Sequence, residues 1–244
     1  MLLLDLFAGC GGFSLGFKKK NSRIIGYVDW EKHCIETLKL NSDNQEDIFF
    51  IKDDIRHAFR SNNNEFEPLL RFTSQNKING ILGGPPCQAY SIAGRVRDPN
   101  NMKNDYRNYL FESYVEWLNC VRPDFFVFEN VTGMLSANPD GPPIVELISR
   151  AFKDISFTIP DINKEIVFNL ASFGGSQNRN RVIIFGVNQQ KFKKPMDKVK
   201  KFYQILNTQF RSARTVFDAI GDLEKLYPLI NKDKRSSHGI SKTE

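Results

Sequence analysis

The sequence has little cysteine, histidine or glycine, and each scarcity excludes a class of protein. Its four cysteines and three histidines are scattered over 244 residues, without a Cys-x-x-Cys pair. This spacing favours neither a zinc site nor a disulfide framework, so we expect no metal and a reducing, cytoplasmic environment. The 16 glycines are too few for a collagen-like chain, and an apolar content of 41% is too high for a disordered one.

Long apolar runs are also absent. The opening run Met1–Leu4 lacks a basic start and is interrupted by Asp5, which argues against a signal peptide or a membrane span. The length of 244 residues suits a globular protein of one or two domains. The net charge of +6 fits a polyanion partner, although many basic proteins bind none. Lysines concentrate late in the chain, where a solvated linker and a phosphate-contacting surface both remain open. These are Lys191, Lys193, Lys194, Lys198, Lys200 and Lys201.

Short apolar runs alternate with stretches of helical periodicity, and several runs are continuously apolar, as doubly buried strands are. The alternation predicts an α/β fold with a doubly wound, mostly parallel sheet, whose ligands bind beyond the carboxyl ends of the strands. The polar, Asn-rich residues 61–79 are predicted to be a surface insertion. The predicted strands are 2–7, 23–28, 49–51, 80–82, 125–128, 165–169 and 182–187. The predicted helices are 13–19, 31–40, 110–119 and 143–153.

A glycine-rich turn, in the sequence DLFAGCGGF at residues 5–13, follows the first predicted strand. Glycine permits positive φ and lets the backbone approach a ligand closely. The same residues also suit a tight turn that only packs a helix on the sheet. The spacing of Gly9, Gly11 and Gly12 departs from the G-x-G-x-x-G pattern, which weakens an assignment to pyrophosphate binding.

Acidic residues end the next two strands. Asp29 is followed by Trp30, a pair suited to a nucleoside because the carboxylate accepts hydrogen bonds from ribose and the ring stacks on a base. A helix N-cap beside a core tryptophan is the structural alternative. The Asp53–Asp54 pair suits an adenine amino group. Acidic strand ends in series favour an adenosyl ligand without phosphates.

The most specific segment is GGPPCQAYS at residues 83–91, where the fourth strand ends. Its two prolines stiffen a loop that presents Cys87 at the ligand edge of the sheet. A thiol presented in this way is a candidate nucleophile if nearby positive charge favours its thiolate. An inert loop cysteine is the alternative for this segment in isolation.

Two later motifs converge on the same edge. FENV places Glu129 and Asn130 at the end of an apolar strand, where a carboxyl group can serve as a proton donor. QNRNR places Arg179 and Arg181 on one face if that segment is extended. Each motif alone also suits a helix cap or a surface ion pair.

Taken in order, these residues resemble the cytosine carbon-5 DNA methyltransferase family. The likeness runs from Leu2 to about Val187 and includes DYRNYLF at residues 105–111. It implies a Rossmann-like S-adenosylmethionine-dependent methyltransferase domain over residues 1–190. Residues 191–244 are then a basic linker and the start of a target-recognition region. Thr215–Leu223 resembles the approach to that region. One departure is GGSQ at residues 174–177, where the family more often has Gly-Ile-Pro-Gln.

The resemblance also implies a site for S-adenosylmethionine and the chemistry beside it. Cys87 is expected to attack carbon 6 of a cytosine flipped out of duplex DNA. Glu129 is expected to donate a hydrogen bond or a proton at ring nitrogen 3, and carbon 5 then takes the methyl group. Arg179 and Arg181 are expected near the target base, and Asn130 is expected to orient the Pro-Cys loop. The implied cofactor residues are Phe7, Ala8, Gly9, Gly11, Gly12, Asp29, Trp30, Asp54, Ile55, Pro86 and Leu110. The implied DNA contacts are Gln88 and, in a loop over residues 91–108, Ser91, Gly94 and Arg95.

Several hypotheses remain open at this point. A modification or restriction–modification methylase explains every motif, either by itself or as a catalytically incomplete subunit whose partner polypeptide carries the recognition region. An inactive DNA-binding remnant keeps the fold without the reaction. A nicotinamide oxidoreductase explains the sheet but not PPCQ or QNRNR. RNA is a further candidate substrate.

Overall fold

A computed structural model of the chain describes residues 1–18, 21–42, 47–60, 63–86, 109–138 and 142–223, together with the backbone of 226–227 and 240–241. These residues form two compact units. The larger unit comprises Met1–Phe168 and Asn180–Thr208, and the smaller comprises Asn169–Arg179 and Gln209–Glu244. The predicted nucleophile Cys87 and the loop residues Gln88, Ser91, Gly94 and Arg95 lie outside the described residues.

An eight-stranded sheet is the framework of the larger unit. Its strands are β1 (Leu2–Leu6), β2 (Arg23–Asp29), β3 (Phe49–Lys52), β4 (Gly80–Gly83), β5 (Phe125–Val131), β6 (Phe157–Thr158), β7 (Val167–Asn169) and β8 (Asn180–Asn188). The order is β3-β2-β1-β4-β5-β8-β6, with β7 also paired to β8. The first five strands are parallel, and β8 runs antiparallel to β5 and β6. The predicted doubly wound, mostly parallel sheet is thus confirmed, and its strand order reverses between β1 and β4, where ligands bind in such folds.

Seven α-helices are described. They are α1 (Gly12–Leu15), α2 (Lys32–Leu40), α3 (Glu67–Gln75), α4 (Leu110–Val121), α5 (Ile144–Asp154), α6 (Pro195–Asn207) and α7 (Val216–Ile220). Helix α1 is shorter than the predicted 13–19 because Gly16 follows its last residue. Across the described segments, no helix is both long and apolar enough to cross a lipid bilayer.

Helix α3 lies inside the polar segment that was predicted to be a surface insertion, and most of its residues are exposed or partly exposed. Pro68 stands in its first turn, a position that favours helix initiation. Leu69 and the preceding Phe66 are fully buried in the core. These two anchors order a segment whose composition is otherwise that of a loop.

Helix α6 occupies the stretch for which a basic linker was predicted. Val199 is buried, Phe202 stacks on Phe185 with a ring-centroid separation of 4.2 Å, and the Tyr203 hydroxyl donates to the Ile183 carbonyl at 2.9 Å. Of the lysines that suggested a linker, Lys198, Lys200 and Lys201 are exposed residues of the helix, whereas the other three precede it. The segment is therefore an amphipathic helix packed on β8, and the domain boundary at residue 190 stays a prediction.

Tyr114 on α4 ties the helix layer to two central strands. Its buried hydroxyl lies 2.9 Å from the Ile81 carbonyl on β4 and 3.2 Å from the Val127 carbonyl on β5. A Cβ atom at Gly83 would lie only 2.5 Å from the Tyr114 ring and 2.8 Å from the Leu6 carbonyl oxygen. The close approach of α4 to the sheet thus requires glycine at the end of β4.

The smaller unit contains the turn in which GGSQ departs from the resemblance. Gly174 has a φ of 83°, and a Cβ atom at Gly175 would lie 2.8 Å from the Leu170 carbonyl oxygen. The GGSQ turn therefore depends on glycine at two successive positions.

Farther along, α7 begins with a capping box in which Thr215 and Asp218 bond each other's backbone N–H.

Asp5 is an acidic residue inside the sheet, on the central strand β1. It is 1% exposed, and neither carboxylate oxygen has a hydrogen-bond partner among the described residues. Burial, with a smaller contribution from the Asp29 carboxylate, raises the pKa of Asp5 to about 7. Ionisation of Asp5 therefore costs folding free energy at neutral pH.

Leu69→Ala should destabilise the protein by about 2–5 kcal/mol, because it opens a cavity beneath α3. The matched control is Leu40→Ala, since Leu40 is 87% exposed at the end of α2 and Leu69 is fully buried. Urea unfolding followed by circular dichroism measures both, and the control should change stability by less than about 0.5 kcal/mol. Equal effects would show that Leu69 does not anchor α3 to the core.

Asp5→Asn should remove a pH dependence of stability. The folded-state pKa of Asp5 is raised, so the folded protein binds the proton more tightly, and stability falls as pH rises from about 4 to about 7 and then levels. The free energy of unfolding of the variant relative to wild type should rise over that interval by an amount on the order of 3 kcal/mol. Denaturant titrations at several pH values measure it. Parallel pH curves for the two proteins would contradict the prediction.

Candidate active site

A cavity of about 270 Å³ lies where β1, β2, β3 and β4 end. Seven of the predicted cofactor residues line it: Phe7, Asp29, Trp30, Asp54, Ile55, Pro86 and Leu110. Asp53, which the sequence analysis paired with Asp54 as an acceptor for adenine, also lines it. Four lining residues were not predicted to bind the cofactor: Val28, Glu31, Cys34 and Gly84. Their proximity to predicted residues in the sequence was the only available signal for them. Ala8, Gly9, Gly11 and Gly12 are not among the lining residues.

The glycine-rich turn supports the wall of this cavity. Phe7, Gly9 and Gly11 all have positive φ, and a Cβ atom at Gly11 would lie 2.6 Å from Leu38 of α2. The Ala8 N–H donates to the Val28 carbonyl at 3.1 Å, which fastens the turn to the end of β2. These contacts show the packing role that the sequence left as an alternative, and a ligand contact by these glycines stays a prediction.

Asp29 connects the turn to the segment that enters α2. Its Oδ2 accepts a hydrogen bond from the Gly9 N–H at 2.8 Å, and its Oδ1 accepts one from the Glu31 N–H at 2.9 Å. The N-cap of α2 is Glu31, so Asp29 is not the cap. Trp30 is 57% exposed and lines the cavity, so it is not a core tryptophan either. The Asp29 carboxylate and the Trp30 ring therefore form an acidic and aromatic surface that faces the cavity.

Two more carboxylates lie across the cavity, each in a defined network. The Arg56 guanidinium pairs with Asp54 at 2.5 Å and, by hydrogen bonding, lowers the pKa of Asp54. Asp53 accepts a hydrogen bond from the Asn63 amide at 3.0 Å and lies 3.0 Å from His57 Nδ1. Burial raises the pKa of Asp53, but these partners outweigh it and leave the pKa below the ordinary value. Both groups are ionised acceptors at neutral pH.

The end of β5 carries the second part of the site. Glu129 Oε1 lies 2.6 Å from Arg181 Nε, a diagonal pair across the antiparallel strands β5 and β8. A Cβ atom at Gly84 would lie 3.0 Å from Glu129 Oε2, so the glycine lets this carboxylate approach the loop that leads to Cys87. The buried Asn130 amide donates to the Pro85 carbonyl at 3.4 Å. Glu129, Asn130 and Arg181 are thus brought together beside the Pro-Pro segment.

Arg179 belongs to the smaller unit. It is exposed, and its carbonyl accepts a hydrogen bond from the Leu170 N–H at 2.9 Å. Its expected place near the target base stays a prediction, as do the roles of Cys87, Gln88, Ser91, Gly94 and Arg95.

Comparison with known proteins gives a consistent result. The family model for C-5 cytosine-specific DNA methylase matches residues 1–244. Type II methyltransferase M1.HphI of Haemophilus parahaemolyticus is 32% identical over 91% of this chain and 53% of its own length. M.DdeI of Desulfomicrobium norvegicum is 30% identical over 96% and 53%, and M.Bpa9945I of Bacillus paralicheniformis is 28% identical over 96% and 63%. The chain spans between 53% and 63% of the length of these relatives.

Solved structures show the same likeness in three dimensions. A candidate DNA modification methyltransferase encoded in an E. coli prophage matches 78% of this chain and 47% of its own, with 25% identity and a TM-score of 0.58. A DNMT2 mutant from Spodoptera frugiperda matches 77% of this chain and 50% of its own, with 19% identity and a TM-score of 0.52, and shows the fold alone. On the family match over its full length, the chain belongs to the C-5 cytosine-specific DNA methylases.

Proposed function

We propose that this chain binds S-adenosylmethionine in the cavity and methylates carbon 5 of a cytosine in duplex DNA. The observation that carries the proposal is the charge of the cavity lining. The described lining includes four carboxylates, those of Asp29, Glu31, Asp53 and Asp54, and no basic side chain. Such a lining attracts a cationic ligand and repels phosphates.

The cavity fits the parts of this ligand. S-adenosylmethionine, when bound, supplies an electrophilic methyl group on a sulfonium, and it has an amino group but no phosphate. The exposed ring of Trp30 offers a stacking surface for adenine, and the Asp29 carboxylate can accept hydrogen bonds from ribose hydroxyls. Ionised Asp53 and Asp54 are acceptors for the adenine amino group. A dinucleotide such as NAD would bring a pyrophosphate to this acidic surface, which disfavours the oxidoreductase hypothesis.

The second part of the site supplies the chemistry at the base. A cytosine inside a duplex presents neither face of carbon 6, so it must leave the stack to react. The Cys87 thiolate then adds to carbon 6, while Glu129 donates a hydrogen bond or a proton at nitrogen 3 and stabilises the resulting charge. Carbon 5 becomes nucleophilic and gains the methyl group. Loss of the carbon 5 proton and elimination of Cys87 release 5-methylcytosine.

Contacts around Glu129 give its neighbours distinct positioning roles. Arg181 lies 2.6 Å from the carboxylate and fixes its orientation before the base enters. When Glu129 turns to the base, the guanidinium is free to bind the base oxygen or the thiolate. Asn130, through the Pro85 carbonyl, keeps the backbone before Cys87 at a set distance from β5. Arg179 completes the proposed set as a basic residue near the base. The loop that contacts DNA includes Gln88, Ser91, Gly94 and Arg95.

The relatives are named Type II methyltransferases, which favours a modification role for this chain. Because the chain spans little more than half of two of them, a partner polypeptide carrying a recognition region is the alternative form of the same proposal. The two forms predict the same cofactor site and nucleophile. They differ in whether this chain transfers the methyl group unaided.

Asp29→Asn should weaken binding of S-adenosylhomocysteine by about 10- to 100-fold, because a charged acceptor at the cavity is lost. Asp47→Asn is the matched control, since Asp47 is an exposed carboxylate whose partner is Arg23. Isothermal titration calorimetry measures both affinities. If the unsubstituted chain does not bind the probe, or binds it as well as Asp29→Asn does, the cavity is not the cofactor site.

Cys87→Ser should abolish transfer of a labelled methyl group from S-adenosylmethionine to duplex DNA, because a hydroxyl is too weak a nucleophile at neutral pH. Cys120→Ser, at an exposed cysteine of α4, should keep the unsubstituted rate. Digestion of the DNA and chromatography of its nucleosides detect 5-methylcytosine. Unchanged turnover in Cys87→Ser would overturn the mechanism. Cofactor binding without transfer by the unsubstituted chain would favour the partner-dependent form.

A further inference from the structure

Two cysteines that the proposed reaction does not use lie beside the cavity. Cys10 stands between Gly9 and Gly11 in the glycine-rich turn, and Cys34 is in the first turn of α2. Their Sγ atoms are 4.0 Å apart, and both are free thiols. We propose that Cys10 and Cys34 are an oxidation site, at which a disulfide oxidant such as oxidised glutathione joins the glycine-rich turn to α2 reversibly.

The two sulfurs are close enough that a small movement would join them. A disulfide requires a sulfur separation of about 2.05 Å, so the two atoms have to approach by about 2 Å. Rotation about the side-chain bonds of both residues provides part of this movement. The rest falls on the turn around Cys10, which is flanked by glycines with positive φ, the residue type with the widest backbone freedom.

The environments of the two thiols set the order of the reaction. Cys10 is exposed, whereas Cys34 is partly buried. Burial, the Asp29 carboxylate and Cys10 itself raise the pKa of Cys34 to about 11. The Cys10 thiolate therefore attacks oxidised glutathione first, forming a mixed disulfide and releasing one glutathione thiolate. Cys34 then loses its proton and attacks the Cys10 sulfur, which releases the second glutathione thiolate. Two thiols of the protein are oxidised and one glutathione disulfide is reduced.

The bond would alter the wall of the cavity. Cys34 lines the cavity, and Cys10 follows Gly9, whose N–H is bonded to Asp29. Drawing Cys10 toward α2 therefore pulls on the hydrogen bond that sets the position of the Asp29 carboxylate. Oxidation should weaken ligand binding in the cavity, and a bound ligand should slow oxidation by covering Cys34. This effect on the ligand rests on the proposed function, whereas formation of the disulfide does not.

The experiment treats the whole chain with oxidised glutathione at pH 8, alkylates the remaining thiols and maps the peptides by mass spectrometry. The expected product is a Cys10 peptide joined to a Cys34 peptide, cleaved again by dithiothreitol. Cys10→Ser and Cys34→Ser should each lose this product, and Cys120→Ser should retain it. The rate should rise with pH because the second step needs the Cys34 thiolate. Cys10 and Cys34 that both stay open to alkylation, or that join Cys87 or Cys120 instead, would overturn the proposal.

Calorimetry with S-adenosylhomocysteine then tests the effect on the cavity. The oxidised chain should bind at least tenfold more weakly than the reduced chain, and dithiothreitol should restore the affinity. Equal affinities in the two states would overturn the link to the cavity. If the reduced chain binds no S-adenosylhomocysteine, the proposed function fails, while the peptide map still decides whether the disulfide forms.

Discussion

The two hydrogen bonds accepted by Asp29 are the constraint on which the cavity depends. One fixes the glycine-rich turn after β1, and the other fixes the chain as it enters α2. Parallel strands end at a common edge, but their loops are free to diverge unless something connects them. The Asp29 carboxylate makes that connection at the end of β2, together with the hydrogen bond from Ala8 to Val28. The positions of Phe7, Trp30 and Cys34 around the cavity follow from it.

Much of the fold could be predicted because its strands are short, continuously apolar and separated by helical periodicity. The runs at β1, β2, β4 and β5 gave the parallel sheet, and the acidic residues after β2 and β3 marked the ligand edge. Strands that are apolar on both faces must be covered on both faces, and a parallel sheet between two layers of helices does this. The glycine and proline motifs predicted the loops after β1 and β4, because glycine widens the backbone conformations available to a residue and proline restricts them.

Elements that depend on a few anchors could not be predicted in this way. In α3 two buried residues outweigh a polar composition, and in α6 a buried valine, a ring stack and a tyrosine hydrogen bond outweigh a run of lysines. The pairing of Arg56 with Asp54, and of Arg181 with Glu129, depends on rotamers that no sequence pattern specifies. The four unpredicted lining residues have the same origin. They are set by which neighbouring side chains turn toward one space.

The double contact of the Tyr114 hydroxyl also bears on how this molecule moves. Because one side chain of α4 reaches carbonyl groups on both β4 and β5, the helix cannot separate from the sheet by fraying from one strand. Separating α4 from the sheet therefore breaks contacts with two central strands at once, which raises the free-energy cost of opening it. Leu110 at the start of this helix lines the cavity, so the same contact steadies one wall of the site.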